Sequence, residues 1–181
     1  MVEDLPALAH LRSEPHVSVS DFRQAMRRLV GAVTIVTSTD GRTPVGLTAT
    51  AVTSLSAEPA RILACVNLRG SSFRTIAESR RMAINVLSAE QTDLAKVFGG
   101  LHDNPLERFH PARWETLITG APVLCEALAA FDCVVDEMMV AHSHAVIIGE
   151  IKAAKVAAQS PMPLLYASGS FTTLQAPILN G

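Results

Sequence analysis

Between Gly46 and Ser56, residues with hydroxyl side chains alternate with small apolar residues, and no charged side chain occurs before Glu58. Alternation with a period of two is typical of a β-strand that covers a core with one face. A β-branched run at 33–37 precedes this stretch, and the intervening Asp40-Gly41 pair is a tight-turn signal. The sequence therefore predicts a hairpin whose return strand offers an uncharged surface to a flat, polar ligand.

Further strands are predicted by apolar and β-branched runs at 62–67, 82–87, 127–140, 145–156 and 163–173. Helical spacing occurs after Ser18, which with Asp21 three residues later resembles a capping box. It occurs again after Gly70-Ser71-Ser72, and from 89 to about 98, where Ser88 is a candidate cap. Six or seven strands that do not alternate with helices favour a mainly β fold, a mostly antiparallel barrel, over a doubly wound sheet.

The length of 181 residues is typical of one domain, which we place at 18–175, with a loosely held arm at 1–17 and a tail at 176–181. Hydrophobic residues make up 49% of the chain, so we expect some apolar surface to meet a second subunit in a homo-oligomer. The net charge of -2 supplies no basic field for nucleic acid. No apolar run is long enough to span a membrane, and three cysteines without CxxC spacing indicate a reducing, cytoplasmic setting.

Several site classes lack their motifs. Neither GxGxxG nor GxxxxGK[ST] occurs, Ser170 has no GxSxG frame, and Cys65 lies in an apolar run that disfavours a thiolate. His142 and His144 are two residues apart, which on one strand would place both on the same face, but no third ligand is convincingly spaced. We therefore predict no metal site.

The segment from Asn67 to Ser72 joins a predicted buried strand to a helix and contains Arg69, a glycine and two serines. The free N–H groups of a helix N-terminus favour anions, so a phosphate would fit here. An ordinary serine N-cap explains the same residues. Likewise Phe98, Phe109 and Trp114 either line a pocket for a planar ring or simply pack in the core.

Read together, these segments resemble the flavin reductase family of split-barrel flavoproteins, which includes the reductase components of two-component monooxygenases. The resemblance extends from about Val19 to Thr173. Its motifs are D-F-R-Q-A-M from Asp21, G-A-V-T-I-V-T from Gly31, the 46–56 stretch, C-V-N from Cys65, A-I-N-V-L from Ala83, E-R-F from Glu107, G-A-P-V-L from Gly120, I-I-G-E-I from Ile147 and P-L-L-Y from Pro163.

The resemblance implies a split antiparallel β-barrel, a homodimer, FMN or FAD as the flavin, and NADH or NADPH as the reductant. The flavin-binding positions would be Thr48, Ala49, Thr50, Ala51, Thr53 and Ser54 on the strand, Cys65, Val66 and Asn67 near the ring, Ser71 and Ser72 near the phosphate, and Phe109. His144, the candidate catalytic residue, and Tyr166 would flank the nicotinamide. The chain departs from the family pattern at Thr50, where asparagine is common, at Ser143, where an acid is common, and around Gly169, where Ala167, Ser168 and Ser170 occur.

The resulting hypothesis is a flavin reductase that passes a hydride from nicotinamide to flavin and supplies reduced flavin to a partner monooxygenase. Such cofactors carry the electronic chemistry, which is consistent with the lack of a nucleophile motif. Two alternatives stay open at this point: an electron carrier or oxidase of the same barrel with tightly bound flavin, and a non-catalytic domain that has lost flavin affinity.

Overall fold

The computed structural model describes residues 14–101, 104, 106–159 and 161–174. Most of the predicted arm, and the predicted tail at 176–181, lie outside these residues. The helices are α1 (Val19–Met26), α2 (Ser71–Ser79) and α3 (Thr92–Lys96). The strands are β1 (Gly31–Ala32), β2 (Thr34–Thr39), β3 (Pro44–Ala49), β4 (Val52–Ala57), β5 (Ala60–Asn67), β6 (Arg81–Val86), β7 (Trp114–Thr116), β8 (Pro122–Leu124), β9 (Ala129–Ala141), β10 (His144–Val156), β11 (Leu164–Ala167) and β12 (Ser170–Thr173).

The fold is mainly β, as predicted. Seven strands form one sheet in the order β3-β2-β6-β9-β10-β5-β4, with every neighbouring pair antiparallel. Although β3 and β4 are opposite edges of this sheet, only Thr50 and Ala51 separate them in the chain. The sheet must therefore curl until its two edges meet at this bend, which gives the split barrel. A three-stranded sheet, β1-β11-β12, and the β7–β8 pair flank it.

The predicted hairpin is confirmed as β2 and β3, and its turn is held by Asp40. The Asp40 carboxylate accepts hydrogen bonds from the backbone N–H groups of Arg42 and Thr43 at 2.8 and 2.7 Å. These two donors hold the pKa of Asp40 below its usual value. Gly41 supplies the positive φ of 93° that the tight reversal needs.

Two predicted strands are each divided in the structure. The 46–56 stretch bends at Thr50, so that its first half pairs with β2 and its second half, β4, pairs with β5. The 163–173 stretch forms a hairpin, β11 and β12, because Ser168 and Gly169 both adopt positive φ and reverse the chain. These two divisions and the short strands β1, β7 and β8, which the apolar runs did not predict, bring the described residues to twelve strands, more than the six or seven expected.

Two hydrophobic clusters occupy opposite faces of the sheet. Val36 and Ile84 belong to one cluster, whereas their strand neighbours Ile35 and Ala83 belong to the other, as alternation requires. A buried amide, Asn85, ties the second cluster together: it donates to the Ile35 carbonyl at 3.0 Å and accepts from the Leu124 N–H at 2.8 Å. This bond fixes β8 against the barrel.

The helices differ from their predictions mainly in the third one. Ser88 forms the expected cap, as part of a capping box with Gln91. The predicted 89–98 helix is present in three pieces: a 3-10 turn, α3, and a π-type turn at Val97–Leu101 in which Gly100 has a φ of 110°. The α1 helix begins at the predicted Ser18 cap, but none of its residues is buried.

Candidate functional site

One pocket, of about 330 Å³, collects five of the residues that the sequence predicted as cofactor-binding. It lies where the middle of β3, the end of β5 and the start of α2 converge, with the Phe98-Gly99 turn on the fourth side. Its lining contains Thr48, Val66, Asn67, Ser71 and Ser72 from the prediction, together with Gly46, Leu47, Arg69, Gly70, Phe98, Gly99 and Arg108.

The start of α2 forms one end of the pocket. Gly70 is the N-cap and has no side chain with which to cap the helix, so the first helical N–H groups face the pocket mouth without a side-chain acceptor. The alternative that a serine caps this helix is therefore wrong. Arg69 lines the same end, and its backbone N–H is bonded to the Asn67 side-chain oxygen at 2.9 Å. Such an end is suited to a phosphate.

The other end of the pocket is apolar. Leu47, Val66 and the ring of Phe98 lie there, and Phe98 is only 2% exposed. Of the described residues that line the pocket, only Arg69 and Arg108 carry charge. The arrangement can bind a flat apolar ring with an anionic tail, whereas it offers no side chain suited to act as a nucleophile.

Six predicted residues on the neighbouring strands do not line this pocket. Ala49 is buried in the core, Thr50 and Ala51 form the bend, and Thr53 and Ser54 are exposed on β4. Cys65 is half-buried, and its N–H donates to the Ala51 carbonyl at 2.9 Å, which joins β5 to the bend. The bend separates Thr53 and Ser54 from Thr48 because it redirects the chain to the opposite sheet edge.

The three remaining predicted residues do not line the pocket either. Phe109 packs in the core edge-on to Phe98, with ring centroids 5.0 Å apart. His144 is the exposed first residue of β10 and lies opposite Asn67 in the strand register. Tyr166 is 40% exposed on β11, where it pairs with Gly31, a residue packed closely against Thr50.

The sequence reasoning missed four lining residues: Gly46, Leu47, Gly99 and Arg108. Arg108 belongs to the E-R-F motif, of which only Phe109 was assigned to the cofactor. Gly46 carried a detectable signal, since a glycine inside a strand often marks a close approach by another group. Here that group is the Phe98 ring.

The structure also bears on the rejected site classes. His142 is in the β9–β10 turn with a φ of 52°, so it does not share a strand face with His144 as the spacing suggested. Among the described residues, no group of three or more His, Cys, Asp or Glu could hold a metal ion. Burial raises the pKa of the Cys133 thiol to about 12, which disfavours the thiolate that a nucleophile needs. Across the same part of the chain, the helices are too short or too polar to cross a bilayer.

A larger cavity, of about 490 Å³, opens near α3 and is lined by Glu90, Asp93, His110, Arg113 and Glu126 among others. Arg113 is already paired with Glu126 there, at 2.6 Å. None of the predicted site residues lies in this cavity. We therefore take the smaller pocket, which joins the apolar wall to the start of α2, as the candidate functional site.

Comparison with known proteins identifies the family to which the chain is similar. A family model described as "Flavin reductase like domain" matches residues 26–175. A relative named FMN reductase (NADH) RutF, from Yersinia enterocolitica, is 39% identical over 146 residues, which cover 80% of this chain and 79% of that protein. The structure of flavin reductase PheA2 superposes with a TM-score of 0.80 at 31% identity, covering 88% of this chain and 100% of that one. The structure of BorF, the flavin reductase component of a bacterial two-component tryptophan halogenase, gives 0.79 at 28% identity, covering 88% and 100%.

Proposed function

The chain belongs to the flavin reductase-like domain family, and from this premise we propose that it is an NADH-dependent FMN reductase whose catalytic domain is residues 18–175. The observation that carries the proposal is a single pocket that joins an uncharged, apolar wall to the uncapped start of α2 and two arginines. FMN has the same two parts, an aromatic ring system and a phosphate. The relative named above is an FMN and NADH enzyme, which supports the choice of both molecules.

The residues of the pocket divide the work of binding. Ser71, Ser72 and Arg69 hold the phosphate together with the first N–H groups of α2, because an anion there is favoured by both the donors and the helix dipole. Leu47, Val66 and Phe98 pack against the ring and exclude water from it. The redox chemistry at this pocket, transfer of a hydride from nicotinamide, would be supplied by FMN when it is bound. The protein contributes orientation and shielding, which shorten the search for a reactive geometry.

His144 is the proposed residue on the nicotinamide side. Its imidazole is exposed, and its Nδ1 lies 2.9 Å from the Ser143 hydroxyl oxygen. Because β10 pairs with β5, His144 is one strand away from Asn67 in the pocket wall. We expect His144→Ala to raise the KM for NADH while FMN binding stays unchanged, since the imidazole is outside the pocket. Unaltered kcat and KM for NADH would remove His144 from this role.

A homodimer is part of the proposal. The α1 helix and the residues after it expose an apolar stripe of Val19, Phe22, Met26, Leu29 and Val30, each between 46% and 65% exposed. An apolar helix face of this kind is unusual on a monomer and is typical of a subunit interface. We expect Phe22→Glu to shift the molar mass measured by light scattering from two chains to one, whereas Arg23→Glu on the polar side of α1 should leave it unchanged.

The reduced flavin is proposed to leave for a partner flavin-dependent monooxygenase or a related enzyme. Support comes from BorF, which is described as the reductase component of a two-component halogenase. We expect the partner to consume reduced FMN as a substrate and to need no stable complex with the reductase.

Anaerobic mixing tests the central proposal. The purified chain is combined with FMN and then with NADH, and the absorbance of oxidised flavin is followed. We expect complete bleaching with NADH at a rate proportional to enzyme concentration. If the flavin binds and stays oxidised, the protein is an electron carrier or oxidase that NADH does not reduce. If the protein neither binds nor reduces FMN or FAD, it is a non-catalytic domain.

A further inference from the structure

The hydroxyl of Thr48 makes a hydrogen bond within the protein. Its Oγ1 donates to the backbone carbonyl of Ala95 at 2.7 Å. Ala95 is buried in α3, two residues before the π-type turn that carries Phe98 and Gly99. The one proton of this hydroxyl is therefore used to attach α3 to β3, and it is not available to a ligand.

A second contact holds the same two elements together. Phe98 lies directly over Gly46: a Cβ added at Gly46 would be 2.6 Å from one ring carbon of Phe98 and 2.9 Å from another. The ring has no room to retreat, because the centroids of Phe109 and Trp114 lie 5.0 and 5.6 Å from its own. Only glycine at position 46 leaves room for the Phe98 ring in this position.

We propose that Gly46 and Thr48 are positioning residues that clamp the Phe98-Gly99 turn onto β3 and so fix the width of the pocket. Both contacts come from the same strand, and both act on a segment of four residues, 95–98, that ends in the pocket wall. The inference deepens the proposed function, since it takes flavin as the occupant of this pocket. The resemblance implied only that Thr48 is a flavin-binding position on the strand; on this proposal its hydroxyl acts through Phe98 and not through direct contact with flavin.

Replacement of Thr48 separates the two roles. Thr48→Val keeps the shape of the side chain and removes the donor, whereas Thr48→Ser keeps the donor. With one hydrogen bond lost, we expect the Kd for FMN to rise roughly 5-fold in Thr48→Val, which corresponds to about 1 kcal/mol. Thr48→Ser should stay within about 2-fold of the wild type. The KM for FMN should follow the Kd, and the KM for NADH should not change.

The fluorescence emission of Trp114 reports the position of the Phe98 ring in the absence of flavin. It is the only tryptophan of the chain and it contacts Phe98. We expect the emission of the flavin-free protein to change in Thr48→Val and in Gly46→Ala, and to be restored in Thr48→Ser. A hydroxyl that served only as a flavin ligand would leave this emission unaltered.

The double variant tests whether the two residues act as one unit. We expect the Kd for FMN to rise at least 5-fold in Gly46→Ala, because the added methyl group displaces the Phe98 ring, which has no free space around it. Thr48→Val should add little in the Gly46→Ala background, since the clamp is already open. If Gly46→Ala does not fold, Phe98→Leu takes its place in the same comparison.

Thr173→Val is the matched control, because its hydroxyl also donates to a backbone carbonyl, that of Pro163 at 2.8 Å, but on the flanking sheet. It should change neither FMN binding nor Trp114 emission. The proposal is overturned if Thr48→Val raises the Kd for FMN without changing the Trp114 emission, and if it raises the Kd by the same factor in the Gly46→Ala background. Failure of the proposed function would look different: the wild type itself would bind no flavin, while the emission changes of the variants would persist.

Discussion

Removing the hydroxyl of Ser72 should weaken the binding of FMN, through its phosphate, and leave the binding of riboflavin unchanged. Ser72 is the second residue of α2 and is 3% exposed, and it lines the end of the pocket with the uncapped N–H groups. Because Gly70, not Ser72, is the N-cap, the hydroxyl has no capping role in the helix. Ser72→Ala therefore removes a potential phosphate donor with little effect on the fold.

The size of the effect follows from burial and charge. A hydrogen bond to a charged group is worth about 1.5–3 kcal/mol, and the burial of Ser72 limits competition from water. We expect the Kd for FMN to rise roughly 10- to 150-fold in Ser72→Ala. Arg69 is exposed, so Arg69→Gln should cost only about 0.2–1 kcal/mol, or at most about 5-fold. Riboflavin has no phosphate, and its Kd should be the same in all three proteins.

The change in Trp114 fluorescence during titration with FMN or with riboflavin measures both Kd values under identical conditions. Ser79→Ala is the control, because it is the same substitution at the opposite end of α2, where the hydroxyl contacts Ser38 at 3.2 Å. It should reduce stability slightly and leave both Kd values alone. Equal weakening of FMN and riboflavin in Ser72→Ala would refute the reasoning, since it would place Ser72 beside the ring.

Three further predictions concern stability. The pKa of Cys133 is about 12 in the fold and its ordinary value is 9.0, so ionisation of the thiol favours the unfolded chain. The contribution of Cys133 to the free energy of unfolding should therefore be constant below about pH 9 and decline above it. Urea unfolding measures this, and Cys133→Ala should flatten the decline. Gly149→Ala would place its Cβ 2.8 Å from the Cβ of Cys133 and 2.9 Å from the Cε of Met82, so we expect a loss of about 1–3 kcal/mol by the same assay, and an unchanged midpoint would contradict this packing. Asn85→Leu leaves the buried N–H of Leu124 unpaired and should lower the free energy of unfolding by about 3 kcal/mol; thermal melts that move by less than a degree would show that Asn85 is dispensable.

The parts of the fold that short-range patterns control could be predicted from the sequence. The Ser18 cap, the Asp40-Gly41 turn and the Ser88 cap are local hydrogen-bonding signals, and all three occur where they were expected. The bend at Thr50 was missed because no glycine or proline marks it. What forces it is the pairing of β4 with β5, a partner that the local sequence does not identify.

The candidate site shows the same division. That Asn67 to Ser72 come together at one end of the pocket was predictable because they form one continuous segment. The aromatic wall was only half predictable: Phe98 and Phe109 are both aromatic residues of one region, yet Phe98 lines the pocket and Phe109 supports it from the core. Which of two neighbouring rings faces a cavity depends on the close seat over Gly46, and this requires coordinates from β3.

The bend of Thr50 and Ala51 has a practical consequence for protein engineering. Both residues are exposed, and by that criterion alone this position would be a reasonable place to insert a tag or to open a circular permutant. Extra chain length here would instead let the two outermost strands drift apart and present unpaired backbone groups, which invites aggregation. The Asp40–Arg42 reversal, which ties together only adjacent strands, is the safer place for a graft.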